Sequence, residues 1–424
     1  MQKHQILALF GLFFCAFANA QDDTPTPLQE RTIGENIKSV KISLQGLPLS
    51  LPLLEIGNSG KIELSWDDLD ADLKPYNYKV IYCNADWTPN TLLTEMDYIN
   101  GYSYDVVRDY RTSSRSLVNY IHYNVTLPND NTKLLKSGNY MVKIYTDDEN
   151  DDLVITRRFM VAEPKVRVVA RMQTSAGAKL RTHHELNFMI DYKGYSIRNA
   201  QTEVKTMVLQ NGRWDNAITN LQPTFQRDNQ LLYDFQGSIM FLASKEYRRL
   251  DLTSTRFQTE GVEQYVRNDK QFEGYPFVTY PMRDQPYQQW ADANGKFVTI
   301  SKDTDAPQFQ ADYVNMHFAL TLPGEVNGAA VYVFGGFNNY ECTDENRMKY
   351  NTMTHQYEAA IQLKQGFYNY QFATIKDGTT TPNLSLLEGD WYETENDYTV
   401  LVYHRPFGAR YDMLVAAQTI NSVR

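Results

Sequence analysis

Cysteine is scarce, with 3 in 424 residues, which excludes a fold stapled by disulfides. Long apolar runs are missing beyond the first twenty residues, and no later segment reaches the roughly eighteen consecutive apolar residues of a membrane-crossing helix. No P-loop, Gly-x-Ser-x-Gly or His-Glu-x-x-His occurs, so the common phosphate cradle, nucleophile elbow and zinc-protease helix are not encoded. Ser, His and Asp are present, but no local spacing singles out a triad. Positive charge is not in excess either: the formal net charge of −10 opposes a polyanion partner such as nucleic acid. Helical periodicity is nearly absent, and only Thr91 to Tyr98 reads as a short helix.

What is present begins with a secretory leader. Lys3 precedes an apolar run from Ile6 to Ala18, and Ala18-Asn19-Ala20 supplies a small-x-small cleavage site before Gln21. Cys15 does not suit lipid attachment, because bulky Phe residues stand before it. Cleavage removes Lys3 and no acid, leaving a mature chain of net charge −11 that folds beyond the inner membrane. Cys83 and Cys342 remain, far apart in sequence, and are expected to be two separate thiols. The chain has 30 Tyr against 5 Trp, a balance that suits half-exposed strand faces and contact surfaces.

Period-two alternation dominates the rest. Ile62, Leu64 and Trp66 share one strand face; Tyr76, Tyr78, Val80 and Tyr82 share another; Tyr140, Val142 and Ile144 repeat the pattern. The turn from Asp147 to Asp152 leads to a returning strand from Leu153 to Val161. Ala162-Glu163-Pro164-Lys165 marks a boundary, since proline cannot donate to a ladder. A second block follows, with Leu186, Phe188 and Ile190 on one face and Asn-Gly turns at 211–212 and 294–295, where positive φ is required. Ser301 to Ala311 reads as a second linker, and the last block alternates again through Val331–Phe337 and Phe367–Phe372. A chain of this length exceeds a single core and divides into two to four domains.

Binding is the leading reading, because many rings sit on strands without a reactive constellation. Trp87, in Asp86-Trp87-Thr88-Pro89, either anchors a partner or folds back over its own sandwich, with Asn84 and Asp86 fixing the loop. Tyr98, Tyr102, Tyr104 and Tyr110, clustered around Gly101, form either a contact surface or a half-buried sheet face. The five carboxylates between Asp147 and Asp152 lack the central Gly and terminal Glu of a calcium loop and read as a solvated hairpin tip. His183 and His184 point to opposite strand faces and do not suit one metal. No catalytic, metal or cofactor-binding residue is assigned.

Several dispersed pieces resemble the family of type IX secretion system plug proteins: Cys83-Asn84-Ala85-Asp86-Trp87-Thr88-Pro89, Ser137-Gly138-Asn139-Tyr140, Thr156-Arg157-Arg158-Phe159-Met160-Val161, Gln210-Asn211-Gly212-Arg213-Trp214-Asp215, Glu246-Tyr247-Arg248-Arg249-Leu250-Asp251 and Asp292-Ala293-Asn294-Gly295. They are collinear over roughly Val40 to Ile300, and Tyr247 and Leu250 depart from an expected Phe. The resemblance implies a non-enzymatic periplasmic protein that stoppers the large outer-membrane β-barrel translocon of that system, without nucleic acid, cofactor or a membrane span of its own.

The final block also resembles the early-set sandwich of starch-binding modules. This raises the alternative of a glycan-binding protein, with Tyr340 and Trp391 as the stacking rings. The expected fold is all-β: tandem immunoglobulin-like or early-set β-sandwich domains. A signal peptide at 1–20 precedes an N-terminal plug sandwich at 21–163, a second sandwich at 164–305 and an early-set-like sandwich at 306–424. Mass spectrometry of the exported protein should find Gln21 as its first residue; retention of the leader would refute the cleavage site.

Overall fold

The computed structural model describes residues 26–146, 152–175 and 177–423. The expected leader with its cleavage site, and the acidic turn apart from Asp152, lie outside them. The chain is mostly β, with 45% strand and 4% helix. The single-turn helix Glu95–Tyr98 falls inside the segment expected to be helical.

The alternating strands build a stack of four sheets. The outermost sheet orders Ile37–Leu44, Ile62–Asp68, Ile121–Leu127 and Asp109–Thr112. The next runs Arg31–Thr32, Leu153–Ala162, Gly138–Tyr145, Asn77–Cys83 and Tyr104–Val106. Between them lies the first core, in which Trp66, Tyr78, Val80, Tyr82, Tyr140 and Phe159 are fully buried. All but Phe159 are residues whose period-two spacing predicts an inward face, so local pattern and packing agree here.

The second sheet is apolar on its other face as well. Cys83, Met141, Met160 and Ala162 point away from the first core and meet Met207, Leu209, Leu401, Tyr403 and Leu414 of a third sheet. That third sheet orders Ile218–Thr219, Val204–Gln210, Asp397–His404 and Met413–Asn421. Its opposite face closes a further core, with Val208, Tyr398 and Val400 packed against Phe188, Ile190 and Tyr233 of a fourth sheet. The fourth sheet contains Arg167–Gln173, His183–Asp191, Gln230–Tyr233 and Phe225–Arg227.

Beside this stack lies a sheet of nine strands that is nearly closed into a barrel. Its path begins at Arg248–Asp251 and ends at Val262–Arg267, and the two ends are joined by a short connection in which Asp251 N donates to Glu260 O (2.9 Å). Leu250, Val262, Phe318, Val331 and Phe372 fill its interior. Closing a sheet on itself removes the exposed edges an open one would present.

Strand pairing crosses the expected break at 305/306 in both directions. Arg248–Asp251 and Phe297–Val298 pair with Phe367–Lys376, while Val204–Gln210 pairs with Asp397–His404 over its whole length. The segment Ser301–Ala311 is therefore an internal connection of the near-closed sheet. The last strands, Asp397–His404 and Met413–Asn421, complete the third sheet in the middle of the molecule.

A buried ion pair joins the N-terminal sandwich to the near-closed sheet. Lys364 Nζ donates to Asp67 Oδ2 (2.6 Å) and to Gln308 O (2.5 Å), and the pair's side chains are 1% and 0% exposed. Tyr313 Oη donates to the same carboxylate oxygen (2.6 Å), and His122 Nδ1 donates to the other (2.6 Å). With its proton committed to Asp67, the Tyr313 hydroxyl accepts from Ser39 Oγ (2.8 Å). The Lys364 ammonium also sits 4.1 Å from the centre of the Tyr120 ring. Every acceptor site that the buried carboxylate uses is thus filled, the condition under which such a charge is tolerated.

Burial alone would raise the Asp67 carboxyl, but Lys364 and His122 outweigh it and hold the group below its usual range. A depressed folded-state pKa means stabilisation is present above the unfolded value, near pH ~4, and is lost as pH falls through the folded value. Lys364→Met should cost about 3–5 kcal/mol in urea unfolding by stranding Asp67, and adding Asp67→Asn should recover part of it. The Asp67→Asn chain should also lose less stability than wild type on acidification below about pH 4.

Candidate partner-binding surface

Trp87 ends the strand Asn77–Cys83 in a tight turn where Trp87 N donates to Asn84 O (2.9 Å) and Asn84 N donates to Thr88 O (2.8 Å). Asp86 Oδ1 accepts from Thr88 N (3.0 Å) and Asn84 Nδ2 donates to Thr88 Oγ1 (2.9 Å), so both polar side chains fix the loop as expected. The backbone at Trp87 is left-handed, with φ 68°. Its ring is only 3% exposed, lies edge-on to Trp214 at 4.9 Å, and is covered by the Arg158 guanidinium at 4.6 Å. Trp87 is therefore no exposed anchor; its ring folds back against Arg158 on the outer face of its own second sheet. It is part of the apolar layer between the second and third sheets.

The tyrosine cluster divides. Tyr98 is buried against Tyr82 (5.6 Å) and Tyr140 (6.2 Å) and belongs to the first core, which corrects its assignment to a contact surface. Tyr102, Tyr104 and Tyr110 are 63%, 54% and 44% exposed. Gly101, at φ 109°, brings the chain against Asn131 so closely that a Cβ would stand 2.1 Å from its carbonyl oxygen. Tyr102 N donates to Asn131 O (2.7 Å) and its carbonyl accepts from Thr132 Oγ1 (2.8 Å), pinning the backbone while the ring stays in solvent.

Tyr104–Val106 is the terminal strand of the second sheet and Asp109–Thr112 the terminal strand of the first. The chain passes from one to the other through buried Val107, so both sheet edges face the same side of the sandwich. Terminal strands offer unpaired backbone groups, and here charged side chains are interleaved with the rings, as edges protected from self-association commonly are. Arg108 grips Asp105 through two hydrogen bonds of 2.7 Å and holds its carboxyl down to about 2. Exposed Val106 lies on the same terminal strand as Tyr104, giving apolar anchors within a polar rim.

The rings named for sugar stacking are both half-buried, and each has an aromatic neighbour. Tyr340 is half-buried, with Arg213 5.2 Å from its ring centre and Phe334 at 5.5 Å. Trp391 stacks on Tyr287 at 5.8 Å. His184 Nε2 donates to Tyr392 O (2.6 Å), so its Nδ1 accepts from the Tyr398 hydroxyl (2.8 Å). Cys83 and Cys342 are both free thiols, and burial pushes each up to about 12. Missed from the sequence is a second exposed strip, Phe277, Val278 and Tyr280, with Phe257. The proline-flanked run Pro276-Phe277-Val278-Thr279-Tyr280-Pro281 was the available signal.

The profile of the type 9 secretion system plug protein first domain matches residues 37–163. The crystal structure of a hypothetical protein from Parabacteroides merdae is similar over 93% of this chain and 100% of that one, at 32% identity and TM-score 0.89. The BSP domain of a biofilm associated protein shares 7% identity over 94% of this chain and 61% of that one, at TM-score 0.20. A serine-rich repeat protein from Streptococcus agalactiae shares 7% over 91% and 92%, at TM-score 0.14. Neither of the last two carries an argument. A search of curated proteins finds no match.

Trp87→Ala should destabilise the chain by about 3–5 kcal/mol in chemical unfolding, as a core ring does. Tyr102→Ser, Tyr104→Ser and Tyr110→Ser should each stay within about 0.5 kcal/mol of wild type.

Proposed function

We propose, for a chain that belongs to the type 9 secretion system plug protein family, that it is a non-enzymatic periplasmic stopper of that system's outer-membrane barrel. It occludes the periplasmic opening of the barrel while nothing is being exported. The observation that carries this reading is the family match over 37–163, whose range contains the exposed ring patch of Tyr102, Tyr104 and Tyr110. No enzyme family is found for the chain, and the family itself is non-catalytic.

The physics of a stopper supports the reading. A plug must hold its shape under load, and sheets sharing apolar layers resist bending better than beads on flexible linkers. It must also leave when export begins, so its contact should be specific without being irreversible. A few ring anchors in a polar rim give that balance, because association and ordering costs offset much of the contact energy. Displacement then needs another component that favours the unplugged state of the barrel.

For the architecture, we read the first two sheets as an immunoglobulin-like sandwich, residues 21–163. The middle pair of sheets is formed by roughly 164–243 together with 397–424, and the near-closed sheet by the residues between. In this reading the leader at 1–20 delivers the chain to the periplasm.

The tagged mature protein, purified from solubilised outer membranes, should bring down a very large barrel. Combined Tyr102→Ser, Tyr104→Ser and Tyr110→Ser changes should cut that recovery at least tenfold without lowering the melting temperature. Cells lacking the protein should leak large solutes. Barrel complexes isolated idle and always free of this chain would end the proposal.

A further inference from the structure

Where the N-terminal sandwich, the middle sheets and the near-closed sheet meet, they border a partly open cleft of about 120 Å³. Lys41 reaches it from the strand Ile37–Leu44, Arg157 from the strand Leu153–Ala162, and Lys296 from the segment leading into Phe297–Val298. Asn211 and Gly212 bring the middle sheets to the same cleft. Its charged lining is entirely cationic.

None of the three cations has a carboxylate at ion-pair distance among the described residues. Lys41 Nζ donates to Phe297 O (2.6 Å) and Lys296 Nζ to Leu49 O (2.7 Å), which leaves two N–H groups on each ammonium. Arg157 is 4% exposed and donates to Arg31 O (2.9 Å), Thr156 O (2.8 Å) and Thr32 Oγ1 (2.8 Å), all neutral acceptors. Glu63, Asp397, Glu30 and Glu341 act on these groups only from farther away. Burial, reinforced by the neighbouring Lys296, pushes the Lys41 ammonium down to about 7.

Gathering three cations in a cleft without a counterion works against folding, since like charges repel there and each has given up part of its hydration. The same groups offer the two N–H groups that Arg157 has not given to protein acceptors and two ammonium donors, a set that suits a four-oxygen anion through charge-assisted hydrogen bonds. We propose that this three-way junction binds one small oxyanion of phosphate or sulfate size, held by Lys41, Arg157 and Lys296. The ion clamps the N-terminal sandwich to the near-closed sheet. Because it draws a donor from each of two separate cores, its binding is coupled to their relative placement. A lipid headgroup carries the same phosphate chemistry, but the small volume of the cleft favours a free ion.

The test is thermal unfolding of the mature protein with chloride replaced by inorganic phosphate at constant ionic strength. Phosphate should raise the wild-type midpoint by about 2–4 °C. Lys41→Met and Lys296→Met should lose that increment, while Lys38→Met, whose exposed partner is Glu345, should keep it. In chloride alone, Lys296→Met should melt no earlier than wild type, since it removes an uncompensated charge. Titration calorimetry of phosphate onto wild type should give one site per chain, whatever the variants do. An equal increment in all four proteins, or no stoichiometric heat, would overturn the proposal. Flotation with phosphatidylglycerol vesicles should retain none of the protein. Flotation that Lys41→Met abolishes and phosphate does not compete would overturn the assignment to a free ion.

Discussion

A sheet that is apolar on both faces has to be covered on both, and this constraint organises the molecule. The strands Asn77–Cys83, Gly138–Tyr145 and Leu153–Ala162 direct tyrosines and aliphatic residues into one core and Cys83, Met141 and Met160 into the next. Had the second face been polar, the N-terminal sandwich would stand alone on a tether. Instead the third sheet is bound to it as one interior layer is to another, and Trp87, Trp214 and Arg158 close the rim of that layer. Polar ties then fix the register: Tyr403 donates to Asn139 Oδ1 (2.8 Å), and the Asp412 carboxylate accepts from Ala85 N (2.8 Å) and Arg405 (2.9 Å). The near-closed sheet is held by different chemistry, the buried Asp67–Lys364 pair with its tyrosine and histidine.

Much of the strand content was legible because one-sided burial writes itself as alternation. Tyr76, Tyr78, Val80 and Tyr82 are all inward, and the turns at Asn211-Gly212 and Asn294-Gly295 adopt the positive φ their residues suit. Alternation says nothing about which sheet a strand joins, so the partnership of Val204–Gln210 with Asp397–His404 had no local signature. Two-sided burial does leave a trace. Tyr398-Thr399-Val400-Leu401-Val402-Tyr403-His404 is buried from end to end and reads as a continuous apolar run, unlike a strand with one wet face.

The site was less legible, because ring type does not report exposure. Trp87 and Tyr102 look equally suited to anchor a partner, yet one closes an internal layer and the other stands in solvent. The difference is set by neighbours distant in sequence: Trp214 and Arg158 cover Trp87, whereas Gly101 and Asn131 hold the backbone at Tyr102 and leave its ring uncovered. The charged junctions were invisible for the same reason. Asp67 and Lys364 lie far apart in the chain, as do Lys41 and Lys296, and nothing local distinguishes them from surface charges.

The return of Asp397–His404 to the middle of the stack has a temporal consequence. A polypeptide emerging residue by residue could assemble the first sandwich early, since its strands are contiguous in the chain. The third sheet cannot form around Val204–Gln210 until nearly the whole length is available, and until then its apolar strands have no cover. The order of synthesis therefore leaves the fold incomplete to the last and exposes an aggregation-prone intermediate just before completion. A chain stopped short of those final strands would carry a finished head on a body that never closes.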